Sequence, residues 1–246
     1  MLDITIDFET CSLCPTAAVM SIGAVAWRRD EETSPFYHLE DGMQDPASVF
    51  SCHIDLRSMF INRFTFDDKT SAWWENKTDE AKASLLSSDS YESPCRPIEV
   101  AVKDLFEWIE DFKKEQGERD VCLWAQGTDF DIAILRNICY KLNINLPVHY
   151  TGFRDHRTFI YEAARLIYKA KGEPYDPSKA YDIVEDFKNV DTGSVHDPVF
   201  DCKRSIYSTW QMMKKLDCMR FITITAINKA ISNQSSVINQ SIISNQ

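Results

Sequence analysis

Residues 2–8 read LDITIDF, with Glu9 directly after them. Ile4, Ile6 and Phe8 alternate with Thr5 and Asp7, the period of a β-strand with one face in a core. Asp7 and Glu9 are two positions apart at the end of that strand, so their side chains project to the same side. Two acids at a strand end arise often by chance. Their meaning depends on what the rest of the chain brings to that end.

Outward from this strand, VMSIGAVAW (19–27) predicts a second, mostly apolar strand, and residues 36–40 and 48–55 are further β-rich pieces. Residues 66–87 predict a helix, followed by the loop SSDSYESPCRP. The stretch 98–114 is an amphipathic helix, with Ile98, Val102, Leu105, Phe106 and Ile109 as its apolar positions. VCLWA (121–125) is a short buried strand, and from Thr128 to Leu142 a helix carries Ile132, Leu135, Ile138, Cys139 and Leu142 on one face. Helices are also expected at 154–170 and 198–216. Strands first, then strand–helix alternation, predict an α/β fold with a mixed sheet and helices on both faces.

The 246 residues suffice for one large domain. Beyond Leu216 the composition changes: AINKAISNQSSVINQSIISNQ is rich in Asn, Gln and Ser, and ISNQ occurs at 231–234 and 243–246. The expected organisation is a domain over 1–216 and a poorly ordered tail over 217–246. The tail's isoleucines allow an alternative, a helix docked on a second copy, and hence a homodimer. A net charge of −11 argues against a broad basic grip on duplex nucleic acid. It is compatible with a carboxylate-lined metal site. No stretch has the apolar length of a membrane span, so no membrane partner is expected. The eight cysteines are scattered; Cys11 and Cys14 have C-x-x-C spacing without a second pair, and free thiols in a reducing cytoplasm are the better reading.

Two further motifs carry acids. In GTDFDIAIL (127–135), Thr128 and Asp131 read as a variant capping box. Asp131 also opens a helix directly after a strand, where side chains project over the end of the sheet; Asp129 is the runner-up there. In HDPVFD (196–201), Asp197 suits a helix N-cap and Pro198 the first helical position. On one continuous helix, five positions would set His196 and Asp201 roughly 140° apart. A helix start between them lets both face one point.

The conjunction is more specific than its parts. Asp-x-Glu on a strand, Phe-Asp opening a middle helix and His-x-x-x-x-Asp at a late helix resemble the DEDD superfamily of 3′–5′ exonucleases, in the branch with a histidine in its last motif. DFET (7–10), AAV (17–19), T-x-x-W-W-x-N-x-x-x-E-A (70–81), FD-x-x-IL (130–135), RD-x-RT (154–158) and HD-x-x-x-DC (196–202) look like the phage exonuclease A family. The likeness covers roughly 1–216 and implies a ribonuclease H-like fold.

It also implies roles. Asp7, Glu9, Asp131 and Asp201 would hold two divalent cations, Mg²⁺ or Mn²⁺: Asp7 bridging both, Glu9 and Asp201 completing the site that carries the attacking water, Asp131 holding the second. Hard ions favour such oxygen ligands. His196 would be the general base. Trp73 and Trp74 are candidates to stack on unpaired bases, with no more than one of the pair doing so, because adjacent helical residues face different ways. Asn76 and Arg157 are candidate substrate contacts, Arg157 being equally suited to an ion pair with Asp155. Met20 is a candidate support for the terminal nucleotide. The expected activity is metal-dependent 3′–5′ hydrolysis of single strands from their 3′ ends, DNA before RNA, in the cytoplasm (the host's, if phage-encoded). The alternatives are an exoribonuclease or oligoribonuclease, an idle nucleic-acid-binding module of the same fold, and an assembly scaffold.

Overall fold

The structure, a computed structural model, describes residues 1–79, 82, 95–191 and 193–219. Five strands form one mixed sheet: β1 Leu2–Thr10, β2 Val19–Trp27, β3 Val49–His53, β4 Val121–Ala125 and β5 Phe153–Asp155, in the spatial order β3-β2-β1-β4-β5. β1, β2 and β3 pair antiparallel, whereas β4 runs parallel to β1 and β5 parallel to β4. Helices α1 (Leu56–Ile61), α2 (Asp68–Glu75), α3 (Ile98–Glu115), α4 (Ala133–Leu142) and α5 (His156–Lys171) are followed by α6, helical from 198 to 219. The expected α/β architecture is present.

β1 divides the layers. Leu2, Ile4, Ile6 and Phe8 are buried with the apolar faces of α3 and α4. The opposite face carries Asp3, Thr5, Asp7 and Glu9, and α5 and α6 cover it. Under those helices Thr5 Oγ1 is 2.9 Å from His156 Nε2, and His156 Nδ1 is 2.6 Å from Thr209 Oγ1 of α6. Burial pushes His156 down to about 3, so the ring is neutral and serves as a buried crosslink between strand and helices. Asp3 accepts from Arg29 Nε and Trp124 Nε1, both at 2.7 Å. One end of this polar row is thus tied into the structure, while Asp7 and Glu9 stand at the other.

Register explains where they stand. The parallel pairing of β1 with β4 runs from Leu2↔Val121 to Thr5↔Trp124, so β1 continues past the end of β4. The chain leaving β4 turns there as one π-helical turn, Thr128–Ile132, before α4. Such turns recur at functional sites.

Several expectations differ from what is found. Residues 36–40 form isolated bridges, Trp27↔Phe36 and His38↔Gln44, rather than a strand. α1 was not signalled, its six residues being too few for a periodic pattern. The helix expected over 66–87 is α2, ending at Glu75; most of its second half lies outside the described residues. The segment expected to start a helix at 154 first adds the edge strand β5. Thr128 is no N-cap: Gly127 occupies that position with no side-chain cap, and Thr128 N donates to Asp155 Oδ2 at 2.8 Å. Of the expected tail, 217–219 continue α6, and 220–246 lie outside the described residues, as does any helix there that would dock on a second copy.

Candidate active site

The end of β1 is where three separated pieces of chain meet. Asp7 lies opposite Gly23 and Glu9 opposite Ser21 in the antiparallel register. Phe8, beyond the parallel ladder, donates its N–H to Asp131 Oδ1 at 3.2 Å, which draws the π turn onto β1. Asp155 supports that turn from below: its carboxylate accepts from Thr128 N and, as the N-cap of α5, from Thr158 N at 2.8 Å. Burial would raise this carboxyl, and the bonds from Thr158 and Thr128 outweigh it, leaving Asp155 below its ordinary value. The expected Arg–Asp155 ion pair does not form. Arg154 instead donates to the carbonyls of Thr151 and Phe153.

The third piece is the start of α6. Asp197 caps it, accepting from Phe200 N at 2.9 Å, and Pro198 is the first helical residue, as the sequence indicated. His196 N donates to Asp201 Oδ2 at 3.1 Å, closing the loop on the first turn. His196 has φ +74°, a left-handed backbone that is uncommon outside glycine. Ligand atoms of Glu9, His196 and Asp201 all lie within 4.8 Å of one another.

Gly23 makes the docking of α6 possible. A Cβ there would lie 2.5 Å from Pro198 C and 2.7 Å from Val199 N. The helix start therefore rests on bare strand backbone, beside Asp7. Sequence reasoning passed over Gly23, although a lone glycine inside a strand pattern is a signal of close backbone approach. It also passed over Arg204, whose Nη2 is 3.2 Å from Asp201 Oδ1, one helical turn along.

The electrostatics follow from crowding. Burial holds Asp7 well above its ordinary value, and Asp131, Glu9 and Asp201 push it further. Burial raises Glu9 from 4.5 to about 9, with Asp201 and Asp131 adding to it. Asp131 rises from 3.8 to about 7, chiefly by burial. Asp201 is raised for the same first reason. The Arg204 contact lacks hydrogen-bond alignment, so buried Asp201 Oδ1 accepts no hydrogen bond. Four converging carboxylates with an orphaned buried oxygen suit divalent cations, which neutralise them and take oxygen ligands.

This crowding has a measurable consequence. Glu9 is protonated up to about pH 9 in the folded chain but only to about 4.5 when unfolded. The folded state then binds more protons across that window, so cation-free stability falls as pH rises from about 4.5 to about 9. Asp131 adds a fall between about 4 and about 7. Thermal melts in EDTA should decline along this series, and Mg²⁺ or Mn²⁺ should raise the melting temperature most at the alkaline end. Melts indifferent to both pH and cation would contradict the crowding.

The tryptophans divide their work. Trp74 is buried and its Nε1–H donates to Thr10 O at 3.0 Å, pinning α2 to the end of β1. Trp73 is 45% exposed, with Lys77 Nζ 3.6 Å from its ring centre. Both rings meet His196 edge-on, with centroids at 5.0 Å for Trp73 and 5.5 Å for Trp74. Asn76 ends α2 and its amide donates to Ala72 O at 2.8 Å. Met20 is half-buried and is the residue skipped where the β1–β2 register shifts between Glu9 and Thr10. Burial and the cations of Lys77 and Arg204 lower His196 below 6.5, against the pull of Asp201.

Residues 2–186 match the family described as the 3′–5′ exoribonuclease Rv2179c-like domain. The chain belongs to this family. The Rv2179c-like chain is also 25% identical over 227 residues to an exodeoxyribonuclease of Enterobacteria phage T4, across 84% of this chain and 86% of the relative. Among solved structures it resembles the nuclease domain of 3′hExo, a DEDDh family member bound to rAMP, with a TM-score of 0.53, 14% identity and coverage of 87% of this chain and 92% of that one. Cell-death related nuclease 4 (CRN-4) gives a TM-score of 0.52 at 14% identity, covering 87% of this chain and 64% of that one. The fold is ribonuclease H-like, and this Rv2179c-like protein is a 3′–5′ exonuclease, a hydrolase acting on nucleic acid. Among the described residues no helix is long and apolar enough to cross a membrane.

Proposed function

We propose that the enzyme removes nucleotides from the 3′ ends of single-stranded DNA with two divalent cations and a histidine base, releasing nucleoside 5′-monophosphates. The observation that carries this is the convergence of the Asp7, Glu9, Asp131 and Asp201 carboxylates at the rim where His196 stands. Those four carboxylates would hold the cations. When bound, the cations lower the pKa of an attacking water and stabilise the departing 3′ oxygen.

The chain's own groups supply the rest. His196, lowered below 6.5, is neutral at physiological pH and so able to accept the water's proton. Trp73 and Trp74 hold its ring edge-on, and the hydrogen bond to Asp201 fixes its backbone. The exposed part of Trp73 is the surface on which an unpaired terminal base would stack. The free thiols agree with work in a reducing cytoplasm.

DNA is favoured because the phage exodeoxyribonuclease matches along most of both chains. A second reading, RNA, draws on the description of the family. Matched 5′-labelled DNA and RNA strands in Mg²⁺ and Mn²⁺ decide between them. The expected result is a ladder from the 3′ end with DNA consumed faster; faster RNA decay would reverse the preference, and intact strands would overturn the proposal. His196→Ala should lower turnover about 10²–10⁴-fold. With saturating cations, the acid limb of the wild-type rate should lie at lower pH than an ordinary histidine would give, because burial and the cations of Lys77 and Arg204 lower His196, and this limb should vanish in the variant.

A further inference from the structure

A cavity of about 530 Å³ opens beside the carboxylate cluster, walled by the end of β4, the first turn of α5, the short 3₁₀ helices Pro177–Ile183 and Phe187–Asn189, and α6. Its size is that of a small-ligand pocket. Gln126, Arg157, Tyr181, Lys188, Arg204 and Ser205 are among its lining residues. Arg204 and Arg157 join it to the cluster: the first contacts Asp201, and the second acts electrostatically on both Asp131 and Tyr181.

The polar groups in it are unevenly committed. Of the acids on its wall, Asp186 accepts from Lys188 N and Glu185 from Tyr207 Oη, while Asp182 is exposed to solvent. Gln126 is held from two sides, donating to Tyr181 Oη at 2.8 Å and accepting from Ser205 Oγ at 3.0 Å. That bond fixes the phenol edge and leaves a ring that is 37% exposed. No hydrogen bond or ion pair engages the Arg157 guanidinium among the described residues. A fixed aromatic ring beside an uncommitted guanidinium is the pairing that grips unpaired strands, the ring under a base and the cation on the backbone.

We propose that this cavity is a second nucleotide subsite, which takes the unit on the 5′ side of the bond being cut, its base against Tyr181 and its phosphate on Arg157. The inference rests on the exonuclease reading above and adds to it the side from which the strand enters. In thymidine 5′-(4-nitrophenyl phosphate), nitrophenol replaces that unit as the leaving group, so this ester does not use the cavity. Compared with oligothymidylate, it isolates the subsite.

Tyr181→Ala and Arg157→Ala should each lower kcat/KM for oligothymidylate about 10-fold, mainly through KM. Tyr181→Ala should leave the ester within about two-fold of wild type, and Tyr181→Phe should restore the strand; Arg157→Ala, whose cation also acts on Asp131, should lower the strand more than the ester. Equal losses on both substrates, or none on either, would overturn the subsite while leaving the exonuclease reading intact. A wild-type protein inert on both substrates would remove that reading and the subsite with it.

Discussion

Asp7→Asn should abolish turnover in Mg²⁺, by at least about 10³-fold, while the cation-free protein melts no lower than wild type and higher at alkaline pH. The two halves of this result have one cause. Burial and three neighbouring carboxylates hold Asp7 well above its ordinary value, so its charge is a cost to the folded chain without cations. Asparagine keeps the shape and removes that cost, yet it weakens the cluster's hold on hard cations, which prefer charged oxygen ligands. Melting curves with and without Mg²⁺, beside a strand-degradation assay, read both effects. The variant should lose most of the cation-induced rise in melting temperature. Near-native turnover would remove Asp7 from the machinery.

Gly23→Ala is the second large effect, and it acts without touching any titratable group. The new methyl would sit 2.5 Å from Pro198 C and 2.7 Å from Pro198 O, both backbone atoms. No rotamer relieves such a contact, so the first turn of α6 must move away from β2. His196 and Asp201 ride on that turn. Misplacement by about 1 Å costs turnover on the order of 10²-fold, and overpacking of this kind destabilises by about 1–3 kcal/mol. Turnover should therefore fall far more than the fraction folded at the assay temperature. The control is Gly42→Ala, where no atom lies within 4 Å and the loss should be confined to the strain of φ +84°.

The acids and the histidine were legible in the sequence because their spacing is local: two apart on a strand, five apart across a helix start. The sheet's interior strands were legible too, since β1, β2 and β4 are buried and apolar enough to mark themselves. What escaped reading depends on tertiary register. β5 is three residues long and exists because β4 offers it an edge. The π turn exists because β1 outruns β4 and leaves Phe8 N for Asp131. Asp155 looked like half of an ion pair and is instead a double cap, since the partner that decides it, Thr128, comes from another part of the chain. Trp73 and Trp74 read as stacking candidates of which no more than one would stack; their contact with His196 depends on how α2 lies against α6.

The polar row on β1 is completed from far along the chain: Asp7 stands on the first described strand, and Asp201 on α6, the last described helix. Until α6 has emerged and settled on Gly23, the nascent protein lacks Asp201 and His196. On the proposed reading, a polypeptide made only as far as α5 holds an incomplete set of groups, and its capacity to attack nucleic acid waits for α6.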